Sequence, residues 1–176
     1  TGAGEAVLMA HRIAKRAKAV VSGRLHPHYA EVIETVCGPA GAGMTIDRAP
    51  VHPTAAEDLA ARIDADTACV VVQNPDVFGN LVDLKPIAEA AHARGALLIA
   101  VVTEAVSLGL VTPPGHMGAD IVVAEGQSIG VGLQFGGPYV GLFATREKYM
   151  RQMPGRLCGQ TVDGQGRRGY VLTLST

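Results

Sequence analysis

Two stretches, TACVVV at residues 67–72 and ALLIAVV at 96–102, carry no polar residue beyond the first threonine. Neither alternates, so neither can be a strand with one wet face. A strand buried on both faces belongs to a parallel sheet covered by helices, and parallel neighbours need long crossover connections. The chain supplies such connections. Apolar residues recur at helical spacing through Ala3, Ala6, Val7, Ala10, Ile13, Ala14 and Ala17, predicting an amphipathic helix near the start. A strand follows over 19–21, a turn at Ser22-Gly23-Arg24, a helix over about 29–36 and a strand over 44–47. Thr54 and Glu57 have the T-x-x-E spacing of a capping box and predict a helix start there. Asp83 can cap a helix whose inner face is Leu84, Ile87, Ala88 and Ala91, with Gly95 as its left-handed stop. Strands over 121–124 and 139–145 complete the set. The expected fold is α/β, one domain over residues 1–176, with a mostly parallel sheet covered by helices. The residues after Arg146 are polar and glycine-rich, and only GYVLTLST reads as a strand.

Composition narrows the possibilities further. Hydrophobic residues make up 48% of the chain but aromatics only 4%, so the core is built from Ala, Val, Leu and Ile. A net charge of -1 with no basic run argues against a nucleic-acid surface. The longest apolar run, at 96–102, falls far short of the roughly 20 residues that cross a bilayer. Cys37, Cys69 and Cys158 are scattered, fit no CxxC motif and point to a reducing, cytoplasmic setting. The chain begins without Met and stops inside a strand-like run, and it reads as a fragment of a longer protein.

Ligands of open α/β sheets sit at the carboxyl ends of the strands. That rule selects residues 22–28, 73–79, 103–108 and 125–137. The first helix start, Thr1-Gly2-Ala3-Gly4, would face the same crevice and could hold an anion through its free amides. TGAGEAV is only half of a dinucleotide fingerprint, since Val7 stands where a small residue is needed and no strand precedes it. GxxxxGK[ST] is absent. His26-Pro27-His28 lacks metal-ligand company, and Pro27 predicts an extended or turn conformation. Asn74, before Pro75, offers either an amide to the crevice or a self-capped turn. Glu125 is a candidate acid or base. Ser128 lies in Gly126-x-Ser128-x-Gly130, the spacing of a nucleophile elbow. The following residues do not read as a helix, and no Asp-then-His order follows, so a serine hydrolase is set aside.

Longer strings carry a resemblance. AVVSGRLHPHY, VVVQNPDVFGNLVDLKPIAEAAHARGALLIAVV, AEGQSIGVGLQFGGPYVGLFATREKYMRQMPGRL and TVDGQGRRGYVLTLST resemble glycine dehydrogenase (decarboxylating), the P-protein family of the glycine cleavage system. The similarity runs over essentially the whole chain and is strongest to the first subunit of its two-subunit bacterial form. AEGQSIG departs from the family's GEGQSxG only at Ala124. The resemblance implies the large-domain fold of type I pyridoxal-phosphate transferases, without the N-terminal portion and the small C-terminal domain. The family decarboxylates glycine and passes the aminomethyl group to the lipoyl arm of H-protein, with pyridoxal phosphate held by a lysine as the electron sink.

In the family's catalytic half a His-Lys pair follows the strand matching 121–124, and here those positions are Gln127-Ser128. A hydroxyl cannot form an imine, so serine is no substitute. The aspartate that supports the pyridine nitrogen is also replaced, by Thr103-Glu104, although Glu104 could imitate it. The resemblance therefore implies a lysine-less subunit with no catalytic residue and no cofactor or metal of its own. Its vestigial crevice would comprise Asn74, Thr103, Glu104, Glu125, Gln127 and Ser128. Pyridoxal phosphate would sit on a lysine-bearing subunit 2 within a hetero-oligomer served by lipoylated H-protein, with no nucleic acid and no membrane. The alternatives are a non-enzymatic pseudo-enzyme scaffold and a small-molecule-binding domain.

Overall fold

The computed structural model describes residues 1–173. Helix α1 (Gly2–Ala14) leads into β1 (Lys18–Val21), α2 (Pro27–Cys37) and β2 (Thr45–Arg48). Then come β3 (Thr67–Gln73), α3 (Lys85–Ala93), β4 (Leu97–Val102), β5 (Ile121–Glu125) and β6 (Gly141–Thr145). These strands form one sheet in the order β2-β1-β3-β4-β5-β6. The first five are parallel, and β6 lies antiparallel on β5 at the edge. The expected helix-covered, mostly parallel sheet is the observed one.

The reason the strands read as unbroken apolar runs is visible in the two cores. Cys69 and Val71 of β3, with Leu97, Ile99 and Val101 of β4, pack under α1 and α2. Their neighbours Val70, Val72, Leu98 and Ala100 turn to the other face, against Leu84, Ala88 and Ala91 at α3. Every side chain of β3 and β4 is buried, so alternation has nothing polar to mark. The α3 signals also hold. Asp83 accepts the Lys85 amide at 3.1 Å, and Gly95 takes φ 69° after the helix.

Three local expectations are corrected. No α-helix starts at Thr54. Residues 51–59 are irregular, and only a 3-10 turn at Ala60–Arg62 follows, with Asp58 Oδ1 accepting the Ala61 amide. Glu57 is drawn away from capping by the end of β1, as described below. The stretch from Pro27 on is helical, not extended: Pro27 is the first residue of α2, where its missing N–H costs nothing. His26 before it has ψ 129°, the conformation a following proline favours, and its Nδ1 accepts the His28 amide. The carboxyl-terminal stretch forms a separate hairpin of β7 (Leu157–Val162) and β8 (Arg168–Thr173). Residues 174–176 of GYVLTLST lie outside the described residues.

The amino edge of the sheet is charged and paired. Lys18 Nζ lies 2.7 Å from Asp64 and 3.3 Å from Asp47, which also binds Arg62 at 2.6 Å. Asp120, before β5, is buried. It accepts the Leu98 amide at 3.0 Å and pairs with His92 at 2.7 Å and Arg146 at 2.9 Å. His92, near the end of α3, is thus a partner of a buried acid. The turn into this segment depends on Gly118, at φ 102°, where an added Cβ would stand 2.6 Å from the Ala88 Cβ. Gly118→Ala is expected to lose about 2 kcal/mol in urea unfolding, from backbone strain plus the clash. Gly115→Ala, whose added methyl would meet nothing within 4 Å, should change stability by less than about 0.5 kcal/mol.

Candidate functional site at the carboxyl edge

Each parallel strand ends on a polar residue at one edge: Ser22 after β1, Gln73 on β3, Thr103-Glu104 after β4 and Glu125 on β5. Gln73 is 5% exposed and ties three segments. Its Oε1 accepts the His26 amide at 2.8 Å, while Nε2 donates to the Pro75 carbonyl at 3.0 Å and to Thr103 Oγ1 at 3.4 Å. Of the candidate residues, Thr103 therefore joins this network.

Glu104 and Ser128 are brought together. The Ser128 hydroxyl donates to Glu104 Oε1 at 2.6 Å, and the same oxygen accepts the Val106 amide at 3.0 Å. These two donors, the hydroxyl first, hold the Glu104 carboxyl below its ordinary range. Glu125 plays a parallel role. Its Oε1 accepts the amides of Gln127 and Val140, both at 2.9 Å, closing the base of the 126–140 loop. Gln127 contributes that backbone amide. Tyr29, in the first turn of α2, stands near this carboxylate. Burial pushes its phenol up, and the charges of Glu125 and Tyr139 add to the effect, so it remains a donor.

Asn74 takes no part. It is 3% exposed, and its amide makes a reciprocal pair with the Val82 backbone, at 3.1 Å to the carbonyl and 3.2 Å from the amide. Gly2, in the first turn of α1, packs against Val123 of β5 closely enough that a Cβ would lie 2.7 Å from its methyl.

Sequence reasoning missed a second network beside this edge. Glu57 accepts from the buried Ser22 hydroxyl at 2.6 Å and from the Gly23 amide at 2.7 Å. Arg24 pairs with the buried Asp76 at 3.3 Å and donates to the carbonyls of His52 and Ala55. Asp76 in turn accepts from Phe78, and from the backbone and side chain of Asn80. These bonds bind residues 52–57 over the β1 and β3 ends. A cavity of about 480 Å³ opens there, floored by Val72, Leu84 and Ile87. None of the six candidate residues lines it. Partners so far apart in sequence leave no local signal, and the Thr54–Glu57 spacing gave a competing one.

The glycine cleavage system P-protein family model matches residues 1–176. The chain belongs to the glycine cleavage system P-protein family. The probable glycine dehydrogenase (decarboxylating) subunit 1 of Methylocella silvestris is 70% identical over 179 residues, and that of Parvibaculum lavamentivorans 69% over 176. Both comparisons cover this whole chain. A crystal structure of glycine decarboxylase (P-protein) of the glycine cleavage system, in inhibitor-bound form, matches with TM-score 0.87 and 43% identity over 98% of this chain. The chain spans 39% of the length of each of these proteins.

Within this P-protein segment, the Glu104 carboxylate links pH to the edge. A carboxyl held low in the fold adds stability that is present above its unfolded pKa and lost as pH falls through the folded one. Ser128→Ala should move the Glu104 carboxyl up toward the ordinary glutamate value and flatten the acid limb of the stability profile. Side-chain carboxyl NMR titration of both proteins checks this.

Proposed function

We propose that this chain is part of the lysine-less subunit of a two-subunit P-protein, and that it supports a catalytic partner. The whole assembly would decarboxylate glycine and hand the aminomethyl group to the lipoyl arm of H-protein. The reading rests on one observation above the others: a P-protein segment whose β5 end presents Ser128, hydrogen-bonded to Glu104, where a lysine would be needed.

Pyridoxal phosphate supplies such a reaction with an electron sink and requires an amine to hold it. The residues at this edge do not fit it. The chain's lysines are Lys15, Lys18, Lys85 and Lys148. Lys15 ends α1, and Lys85 opens α3 on the helix. Lys148 lies over the Tyr149 ring at 4.6 Å, beyond β6. Lys18 opens β1 at the opposite edge. Burial works against its charge, but hydrogen bonds with Asp64 and Asp47 prevail and raise its pKa, so it is a poor nucleophile. Glu104 cannot easily turn to a pyridine nitrogen while it accepts from Ser128 and Val106. The cofactor is accordingly assigned to the partner subunit, and this segment to part of a type I large domain.

The full-length subunit carrying this segment, mixed with its lysine-bearing counterpart and lipoylated H-protein, should restore glycine–bicarbonate exchange. Exchange that proceeds equally well without it overturns the reading. Borohydride reduction in the presence of pyridoxal phosphate should leave no adduct on this chain, as peptide mass spectrometry would show.

A further inference from the structure

Residues 50–58 form no helix or strand, and none of them belongs to either core. The segment is anchored at both ends. Ala49 and Leu59 are buried, 5% and 6% exposed, in the core that packs against α3. Between those anchors it is held by polar bonds, most of them from three consecutive residues at the β1 end. Glu57 accepts the Ser22 hydroxyl and the Gly23 amide, while Arg24 donates to the carbonyls of His52 and Ala55. Asn80 adds one bond to the Pro53 carbonyl at 3.0 Å. Every partner lies within this chain, so these bonds stand whatever further protein surrounds the segment.

The cavity of about 480 Å³ lies against this segment, lined on one side by Thr54, Ala56, Glu57 and Asp58 and floored by Val72, Leu84 and Ile87. Arg24 is itself fixed. The buried Asp76, just after β3, pairs with it at 3.3 Å and is held in turn by the amides of Phe78 and Asn80. The β1 side of the attachment is thus tied to β3, and residues 50–58 are the side able to move. Hydrogen bonds that water can replace hold a segment less firmly than buried apolar contacts do. Such a segment opens locally while the core stays folded.

We propose that residues 50–58 form a lid over this cavity, hinged at Ala49 and Leu59 and latched by Glu57 on Ser22-Gly23. Opening breaks the two Glu57 bonds and the two bonds from Arg24 to the lid carbonyls, and it uncovers the apolar floor at Val72 with the sheet intact. The latch sits beside the exit edge. Ser22-Gly23-Arg24 leads directly to His26, whose amide is held by the same Gln73 side chain that donates to Thr103. Glu57 is a positioning residue, acting through the segment it holds. The inference is independent of the subunit reading, because lid, latch and cavity all belong to this chain.

Thiol labelling of the full-length subunit carrying this segment tests the lid, with iodoacetamide as the probe and peptide mass spectrometry to locate each adduct. Val72→Cys puts a thiol on the cavity floor. Cys69, 0% exposed and packed on the opposite face of the same strand, reacts only when the sheet itself unfolds. The introduced thiol should react faster than Cys69. Adding Glu57→Ala should speed it by at least about 10-fold, the loss of a hydrogen bond to a charged group, with the Cys69 rate unchanged. Glu57→Gln keeps an acceptor for the Gly23 amide and should stay within about threefold of the Val72→Cys parent. Ile87→Cys, on α3, repeats the measurement from a second point of the floor. If the introduced thiols are as slow as Cys69 with and without Glu57→Ala, residues 50–58 open only with the whole sheet, and the lid is overturned. If Glu57→Ala speeds them and Cys69 in parallel, the change is global and the lid is overturned as well. Introduced thiols that react fast but are indifferent to Glu57→Ala overturn the latch.

Discussion

Burial of β3 and β4 on both faces is the constraint from which the remaining architecture follows. A strand with no wet side chain can keep polar groups only at its two ends, so the sheet segregates chemistry to its edges. Parallel pairing then assigns each edge a fixed role. Chain entry points gather Lys18, Thr67 and Leu97 on one side, and exit points gather Ser22, Gln73, Thr103 and Glu125 on the other. The helices cover both faces, α1 and α3 through alanines that allow close approach.

At the exit edge the carboxylates serve the backbone. Glu57, Glu104, Glu125 and Asp76 each accept from at least two donors of the chain itself. Bonds of this kind stabilise loops that lack ladder partners of their own. The described residues contain no buried side-chain nitrogen or oxygen without a hydrogen-bond partner.

The elements legible in the sequence were those specified by local or periodic signals. The β3 and β4 runs, the Asp83 cap and the Gly95 stop each act within one element, and each is found in place. What was hidden depends on partners distant along the chain. Thr54 and Glu57 have capping spacing, but Ser22 and Gly23, 35 and 34 residues from Glu57, compete for its carboxylate and prevail. Asn74 looked as plausible in a crevice as in a turn until Val82, eight residues on, took both ends of its amide. The proximity of Glu104 to Ser128 follows from β4 and β5 being parallel neighbours, although the bond itself cannot be read from spacing. The β7–β8 hairpin was obscured by its glycines and polar faces, since Gly159 and Gly169 weaken the alternation that marks a strand.

The two edges also differ in how they treat charge, and the difference bears on what each faces. Ion pairs of Lys18, Asp47, Asp64 and Arg62, with the Asp120 cluster, crowd the amino edge, partly exposed and compatible with water. At the carboxyl edge the loops after β4 and β5 are uncharged and project leucine and phenylalanine outward. Were both edges meant for solvent, selection for solubility would favour charge on both, because exposed apolar loops promote association. An enzyme pocket would instead draw those side chains inward around a concavity. Outward apolar side chains on loops tied at their bases by Glu104 and Glu125 suit burial under further protein, of this chain or another. At the β5 end the hydroxyl of Ser128 holds a loop through a single short bond to Glu104.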